Sequence, residues 1–293
     1  MPIATYRWGG RRCVGIVSPD AREVTPLDLG ERGRSVGALA YVEQIASGGS
    51  APRPAGPRLP LSAVTLEAPI PLPVRNIFCA GVNYRPHAAE FARSGYGAQP
   101  ATQSEIPEHP VIFTKVPDCV VAPGAPIELP PRAVSDAVDY EAELAVVIGR
   151  GGRAIAASRA MEHVFGYTIF NDVTARDLQR KHRQWIIGKS LDSFGPMGPW
   201  LVDTGELDGA DTTVRCWVNG ELRQEGHTRD LIFTIGDLIE AISAGITLRP
   251  GDIIATGTPA GVGIGFTPAR FLKSGDVVRI EIDGIGVLEN PVR

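Results

Sequence analysis

The chain has 293 residues, of which 43% are hydrophobic and 21% charged, enough for a sizeable core in one large domain or in one large and one small domain. Its net charge of -4 and sequence pI near 5.8 argue against a nucleic acid or an anionic membrane surface as the partner. No apolar run approaches the roughly 20 residues of a membrane span. Neither a signal peptide nor a cysteine metal motif stands out in the sequence. We therefore expect a cytoplasmic protein.

Residues 1–70 are predicted to form a small N-terminal domain, with the main domain over 71–293. Two β-type segments, ATYRW and CVGIV, flank the glycine-rich stretch Gly9–Arg12, which is typical of a hairpin turn. A helix is expected from Val36 to Ile45. The stretch GGSAPRPAGPRLP that follows is rich in proline, glycine and serine and has the composition of a linker.

The main domain opens with a predicted strand that ends at Gly81, followed by a short helix that begins near Pro86. His87 and Glu90 are three residues apart and therefore share one face of that helix. A carboxylate beside an imidazole can orient the ring and raise its basicity, although such a pair is often only a solvated surface feature. The polar, turn-rich stretch from Arg93 to Pro110 is long for a connection and is predicted to be a mobile lid or a binding loop.

The segment DYEAELAVVIG predicts a strand whose two faces are both buried. Side chains alternate along a strand, so Glu141 and Glu143 are expected to point the same way, at the mouth of the core. Two ionised carboxylates so close together are costly to desolvate unless a cation neutralises them. A divalent metal ion with oxygen ligands meets that need; the alternative is an exposed strand end with two solvated acids.

Further chemical groups follow in chain order. A helix is expected from Ala157 to Val164, with Ser158 as a possible cap. The next segment predicts a buried strand that ends near Asp172, and Arg176 and Gln179 then share a helix face beside that carboxylate.

The second half of the main domain is dominated by predicted strands. Lys189 precedes a turn-rich loop and can present a fixed cation to a cleft. The pair Asn219-Gly220 between two β-type segments predicts a type I′ hairpin, and a last hairpin is expected around Asp283-Gly284. A helix from Leu231 to Ala244 and a glycine-rich turn that contains Thr258 lie between them. Many short strands with few helices predict a mixed sheet rolled into a barrel-like core.

Five separate blocks resemble the fumarylacetoacetate hydrolase family, in the order NYRPHAAEF, DYEAELAVVIG, GYTIFNDVTARDLQ, GKSLDSFGPMGPW and GDIIATGTPAGVG. The resemblance covers roughly Pro73 to Val292. It implies a mixed α+β, predominantly β fold of the family's barrel-like roll type, with a small N-terminal subdomain. It also implies a homodimer and an active site that holds Mg²⁺ or Mn²⁺.

The resemblance assigns roles residue by residue. The implied metal ligands are Glu141, Glu143 and Asp172. The implied catalytic residues are His87, Glu90 and Lys189, and the implied substrate contacts are Arg176, Gln179 and Thr258. Asn83 stands near where some members supply a fourth acidic ligand, so three carboxylates and water are expected here. For Lys115, Tyr84 and the stretch from Arg93 to Pro110 no equivalent is secure, and we expect them to help set substrate size.

The function that this resemblance implies is hydrolysis of a carbon–carbon bond in a small keto acid, such as an acylpyruvate or a fumarylpyruvate-like compound, with water activated by His87 and Glu90. An isomerase or decarboxylase of a hydroxymuconate-type diacid from aromatic catabolism, or an oxaloacetate decarboxylase, is the alternative. A binding protein without catalytic activity is a third, weaker hypothesis, because none of the metal carboxylates is missing.

Overall fold

The computed structural model describes residues 1–96 and 107–293. Within these ranges β-strands predominate. The strands are β1 Ile3–Trp8, β2 Arg11–Val17, β3 Glu23–Pro26, β4 Leu59–Pro60, β5 Thr65–Leu66, β6 Ile77–Gly81, β7 Val111–Lys115, β8 Val120–Val121, β9 Val138–Asp139, β10 Ala142–Ile148, β11 Val164–Asn171, β12 Thr174–Ala175, β13 Gly195–Asp203, β14 Thr213–Val218, β15 Glu221–His227, β16 Ile253–Ala255, β17 Val277–Ile282 and β18 Gly286–Pro291. The helices are α1 Gly30–Val36, α2 Leu39–Ala46, α3 Arg85–Arg93, α4 Arg176–His182, α5 Ile186–Lys189 and α6 Ile235–Ser243.

Most strands join one mixed sheet, in the order β4-β3-β2-β1-β13-β11-β10-β16-β6-β7, with β5 paired to β1 and β8 to β13. A smaller antiparallel sheet has the order β15-β14-β17-β18. Strand β1 pairs with β13 at Ile3 and Leu201, so the N-terminal strands continue the sheet of the main domain. The predominantly β, mixed fold class is thus confirmed, while the division at residue 70 stays a prediction.

Strand β10 lies at the centre of the large sheet, between β11 and β16, and its two faces are buried in different cores. Leu144, Val146 and Ile148 belong to one hydrophobic cluster together with Tyr140, whereas Ala145 and Val147 belong to the other. This alternation is the one predicted from the sequence, and it confirms that the segment is a strand with two buried faces.

The predicted hairpins are also confirmed. Asn219 and Gly220 have φ angles of 53° and 79°, the left-handed values that a type I′ turn requires, and they connect β14 to β15. Gly9 and Gly10 form the first hairpin turn, with φ angles of 54° and 76°. Asp283-Gly284 lies in the last hairpin, between β17 and β18.

Three helix predictions were wrong in part. The helix expected over Val36–Ile45 begins only at Leu39, as α2, because the chain turns at Gly37 with a φ of 67°; the separate helix α1 before that turn was not predicted. The segment Ala157–His163 is a 3₁₀ helix preceded by Ala156, so Ser158 is not its cap. The helix expected from Leu231 begins only at Ile235, as α6, because Thr234 and Asp237 form a capping box there.

Several predictions about the molecule's surroundings remain predictions. Among the described residues, none of the helices is both long and apolar enough to cross a bilayer. Most of the expected lid, Arg93 to Pro110, falls outside the described residues. The homodimer and the cytoplasmic location likewise stay predictions.

Candidate active site

Three buried carboxylates converge where β10 begins and β11 ends. The two strands are antiparallel, and Ala142 pairs with Asn171, so the residues beside that pair are brought together. One carboxylate oxygen from each of Glu141, Glu143 and Asp172 lies within 4.8 Å of the other two. The main chain fixes this junction, since the Asp172 N–H donates to the Glu141 carbonyl at 2.9 Å. The sequence-predicted triad therefore forms one cluster.

Two of the three acids are paired with buried cations. Lys189 Nζ lies 2.5 Å from Glu141 Oε2 and 2.6 Å from Asp172 Oδ2, and Arg176 Nη2 lies 2.6 Å from Glu141 Oε1. Burial alone would raise the pKa of Glu141, but the charges of Arg176 and Lys189 outweigh it and hold that pKa far below its ordinary value. The same two acids, Asp172 and Glu141, raise the pKa of Lys189 against the effect of its burial.

Glu143 differs from its two neighbours because the described part of the chain offers it no salt bridge. Its Oε2 accepts the main-chain N–H of Gly257 at 2.8 Å. Burial, followed by the charges of Asp172 and Glu141, raises its pKa well above the ordinary value. A buried acid that lacks a cation, beside two further oxygen donors, matches the hard oxygen ligand set that Mg²⁺ and Mn²⁺ prefer. The residues therefore fit the divalent ion that the sequence implies.

The imidazole of His87 lies on helix α3, 3.5 Å from Glu90, measured from Nδ1 to Oε2. Pro86 stands in the first turn of this helix, as predicted. The distance is long for a hydrogen bond, and Nδ1 has no partner of that kind in the described residues. His87 is nevertheless only 4% exposed, so its ring is enclosed next to the carboxylates.

A small cavity joins the imidazole to the acids. Its lining consists of backbone at the end of β6, three aromatic rings and the polar groups of the cluster: Ala80, Gly81, Val82, His87, Phe91, Phe113, Glu141, Glu143, Arg176, Gln179, Trp185, Lys189 and Thr258. Trp185 packs edge to face against both Phe91 and Phe113. Val82 has a φ of 51°, a costly value for a β-branched residue, at the point where β6 turns toward the His87 helix.

The predicted substrate contacts all reach this cavity, although their polar groups are partly engaged. Arg176 Nε also pairs with Asp139 at 2.9 Å, and its Nη1 donates to Gln179 Oε1 at 3.3 Å. The Thr258 hydroxyl donates to the Ala142 carbonyl at 3.0 Å and accepts from Gln224 at 2.7 Å. Any contact of this hydroxyl with a substrate therefore has to use its remaining lone pair.

Lys189 lies beside the acids because helix α5 packs unusually close to helix α4. A Cβ atom added to Gly188 would lie 2.6 Å from the main-chain nitrogen of Gln179, which no ordinary side chain tolerates. The glycine beside Lys189 therefore has a packing role that the sequence did not reveal.

Two expectations about neighbouring residues can be compared with the structure. Asn83 does not belong to the carboxylate cluster: its Nδ2 donates to the Phe233 and Thr256 carbonyls, and its Oδ1 accepts from Phe233 N–H. The three-carboxylate set is thus retained. Lys115 and Tyr84 are both buried and neither lines the cavity, and their expected part in setting substrate size stays a prediction.

Sequence reasoning also missed two buried residues that support the cluster. Asp139 accepts the main-chain N–H groups of Gly263 and Ile264 and pairs with Arg176. Gln224 accepts the Ala142 N–H, so it fixes the residue between the two glutamates. Asp139 could have been found, since it continues the alternation of Glu141 and Glu143, whereas Gln224 lies in a hairpin more than 80 residues away and gave no signal.

The model of the fumarylacetoacetate (FAA) hydrolase C-terminal family matches residues 76–293. The chain belongs to the fumarylacetoacetate hydrolase family. Its similarity to the oxaloacetate tautomerase YisK of Bacillus subtilis (strain 168) is 52% identity over 233 residues, which covers 79% of this chain and 74% of the relative. The family assignment thus rests on most of the chain, and the family is one of enzymes that act on small molecules.

Solved structures show the same fold for this fumarylacetoacetate hydrolase family member. A fumarylacetoacetate hydrolase from Exiguobacterium antarcticum is 39% identical, with a TM-score of 0.82, and the match covers 100% of this chain and 99% of that one. A maleylpyruvate hydrolase from Sphingobium sp. SYK-6, solved with manganese(II) and pyruvate, is 30% identical, with a TM-score of 0.75, over 100% and 98% of the two chains. The resemblance seen in five short blocks thus extends over the whole chain.

Proposed function

We propose that this protein is a metal-dependent enzyme that interconverts the keto and enol forms of oxaloacetate or of a similarly short 2-oxo diacid. One observation carries the proposal: His87 lines the same enclosed cavity as Glu141 and Glu143. This supports the proposal, in which His87 would accept a proton beside the carboxylates that would hold a divalent ion. The likeness to a named oxaloacetate tautomerase supports this reaction.

The chemistry divides between the ion and the chain. Mg²⁺ or Mn²⁺, held by the three carboxylates, would supply Lewis acidity that stabilises negative charge on the 2-oxo oxygen of the substrate. Because His87 Nδ1 is turned toward Glu90, we assign proton transfer to Nε2. In the keto-to-enol direction, Nε2 takes a proton from C3 of the diacid, the C2–C3 double bond forms, and the electron pair of the carbonyl moves to the 2-oxo oxygen. The Nε2–H of the imidazolium then gives its proton to that oxygen, so His87 ends neutral and the proton count is unchanged. The reverse direction returns the proton to C3.

The cationic side chains bind the substrate in this proposal. Lys189 and Gln179 line the cavity and would contact the substrate oxygens, with Arg176 and Thr258 beside them. The site is surrounded by four buried acids and three buried cationic side chains. The acids are Asp139, Glu141, Glu143 and Asp172, and the cations are Lys115, Arg176 and Lys189. A bound divalent ion, with all four acids ionised, would leave the site with a net positive charge, which favours an anionic substrate.

Hydrolysis of a carbon–carbon bond is the second candidate function. The pair His87–Glu90 can also deprotonate a water molecule that attacks a carbonyl carbon, and the maleylpyruvate hydrolase relative supports this reading. Phe91, Phe113 and Trp185 form an aromatic wall of the cavity. The first candidate is favoured because the identity to the oxaloacetate tautomerase, 52%, exceeds that to the two hydrolases, 39% and 30%. Decarboxylation of oxaloacetate would use the same enolate and is distinguished by its product.

The experiment compares products. Purified enzyme with Mg²⁺ or Mn²⁺ is mixed with oxaloacetate, and the enol absorbance is followed while pyruvate and CO₂ are measured separately. We expect faster keto–enol equilibration with little pyruvate, and no acceleration in Glu141→Gln. Pyruvate release from acylpyruvates without faster oxaloacetate tautomerisation would instead select the hydrolase, and pyruvate with CO₂ from oxaloacetate would select the decarboxylase.

A further inference from the structure

The side chain of Lys115, at the end of β7, is completely enclosed, with an exposed fraction of 0%. Its Nζ lies 2.7 Å from Asp172 Oδ1 and donates a hydrogen bond to the Val173 carbonyl at 3.0 Å. The ammonium also lies 5.9 Å from the centre of the Phe170 ring. A lysine is stable at such a site only when an anion neutralises it, and Asp172 is that anion. Lys115 thus contacts both the side chain of Asp172 and the residue after it.

Lys115 and Lys189 hold Asp172 from two sides but differ in what else they can reach. Lys189 contacts Asp172 Oδ2, bridges to Glu141 and lines the cavity. Lys115 contacts the other oxygen, Oδ1, and is absent from the cavity lining. A substrate in the cavity can therefore touch Lys189, whereas the effect of Lys115 on the reaction has to pass through Asp172.

We propose that Lys115 is a positioning residue that fixes Asp172 as a metal ligand. By holding Oδ1 and the Val173 carbonyl, Lys115 sets the rotation of the carboxylate so that Oδ2 stays turned toward Lys189, which also contacts Glu141. The inference rests on the proposed metal site. Groups that orient metal ligands in this way raise metal affinity although they do not touch the ion.

Charge and geometry predict opposite effects when Lys115 is replaced. Loss of a buried positive charge makes the cluster more negative, which by itself would tighten the binding of a cation. Loss of the contact to Oδ1 frees the carboxylate to rotate, which weakens binding. In Lys115→Met, which is nearly the same length, we expect the second effect to dominate, with the Mn²⁺ dissociation constant raised by about 10- to 100-fold.

The experiment measures Mn²⁺ binding to wild type and Lys115→Met by electron paramagnetic resonance of the free ion. Lys273→Met, at an exposed lysine, is the matched control and should bind as the wild type does. Saturating Mn²⁺ should restore most of the turnover of Lys115→Met but not that of Lys189→Met. Unchanged or tighter Mn²⁺ binding in folded Lys115→Met overturns the proposal.

A second comparison is made without metal, so its outcome is independent of the proposed function. Lys115→Met leaves Asp172 buried and short of one cation, and the added substitution Asp172→Asn removes that charge. We expect the double variant to have a higher unfolding temperature than Lys115→Met, or to fold where the single variant does not. Equal loss of folding in both variants overturns the specific link to Asp172, whereas a wild type that binds no Mn²⁺ overturns the metal site itself.

Discussion

Glu90 faces His87 on helix α3 with one oxygen, Oε2, 3.5 Å from Nδ1, while both of its oxygens accept the main-chain N–H of Gly261. The carboxylate is therefore held beside the imidazole by a turn that is distant in sequence. The space for this contact depends on glycine, because a Cβ atom on Gly265 would lie 2.6 Å from Glu90 Oε1. The helix and the glycine-rich turn thus position the proposed proton acceptor together.

The first prediction concerns this imidazole. We expect His87→Ala to lower turnover of oxaloacetate by about 10²- to 10⁴-fold, the usual contribution of a positioned general base. Mn²⁺ binding should remain, since His87 is not a member of the carboxylate triad. Steady-state kinetics and Mn²⁺ titration of the same preparation check both parts.

Glu90→Gln is the companion variant for His87. It retains an oxygen that can accept the Gly261 N–H but removes the negative charge beside Nδ1, so we expect a smaller loss of turnover with unchanged Mn²⁺ binding. Full activity in His87→Ala would reject the proposed proton transfer.

The second prediction concerns Glu143, the triad acid without a salt bridge in the described residues. Glu143→Gln preserves the size of the side chain but replaces one anionic ligand with a neutral one. We expect the protein to fold and its affinity for Mn²⁺ and Mg²⁺ to fall sharply, because these hard cations prefer carboxylate oxygen. Isothermal titration calorimetry measures this, with Glu90→Gln as the control, and wild-type affinity in Glu143→Gln would contradict the ligand assignment.

Much of this arrangement could be predicted from local sequence. The alternation of Glu141 and Glu143 along a strand, the Asn219-Gly220 turn and the proline at the start of α3 each follow from backbone geometry within a few residues. The same holds for the i, i+3 relation of His87 and Glu90.

Other features depend on pairings between distant segments. Lys115 meets Asp172, which lies 57 positions further along the chain, and no local pattern marks that lysine as different from an exposed one. The turn at Gly37, which delays the start of the expected helix to Leu39, reflects tertiary packing, since a Cβ there would lie 2.5 Å from the Thr5 hydroxyl. The sequence does not distinguish the proposed tautomerisation from hydrolysis, because the same residues would serve both reactions.

The third prediction concerns the pH dependence of stability through Glu67, which accepts Arg7 Nε at 2.7 Å and Arg12 Nε at 2.5 Å. Partial burial raises the pKa of Glu67, but its hydrogen bonds to Arg12 and Arg7 outweigh this effect and lower it below the ordinary value. Because this pKa is lowered, Glu67 stabilises the folded state fully above the unfolded-state pKa, about 4.3. That stabilisation is lost as the pH falls through the folded-state pKa. The free energy of unfolding of Glu67→Gln at pH 7 should therefore be lower than that of the wild type by about 1 kcal/mol.

The difference between wild type and Glu67→Gln should shrink as the pH falls from about 4.3 through the lowered folded-state pKa, since the wild-type carboxylate becomes protonated over that range. Urea unfolding at pH 7 and at pH 3.5 measures both free energies. Glu31→Gln is the control, because its pair with Arg34 is exposed and should contribute little at either pH. A gap between wild type and Glu67→Gln that stays constant with pH would show that charge is not the cause.

The last prediction tests the contact between the end of β6 and the aromatic wall. A Cβ atom on Gly81 would lie 2.4 Å from the ring of Trp185, so Gly81→Ala forces the indole to move. Trp185 precedes helix α5, which carries Lys189, and the movement should disturb the proposed substrate contact. We expect turnover to fall by roughly tenfold or more, as misplacement of this size does elsewhere.

Trp185→Leu removes the clash, so adding Gly81→Ala to that variant should lower turnover much less. Gly245→Ala, whose Cβ meets nothing within 4 Å, is the control for the substitution itself. Equal effects of Gly81→Ala with and without Trp185 would mean that the glycine acts on the backbone of β6 rather than through the indole.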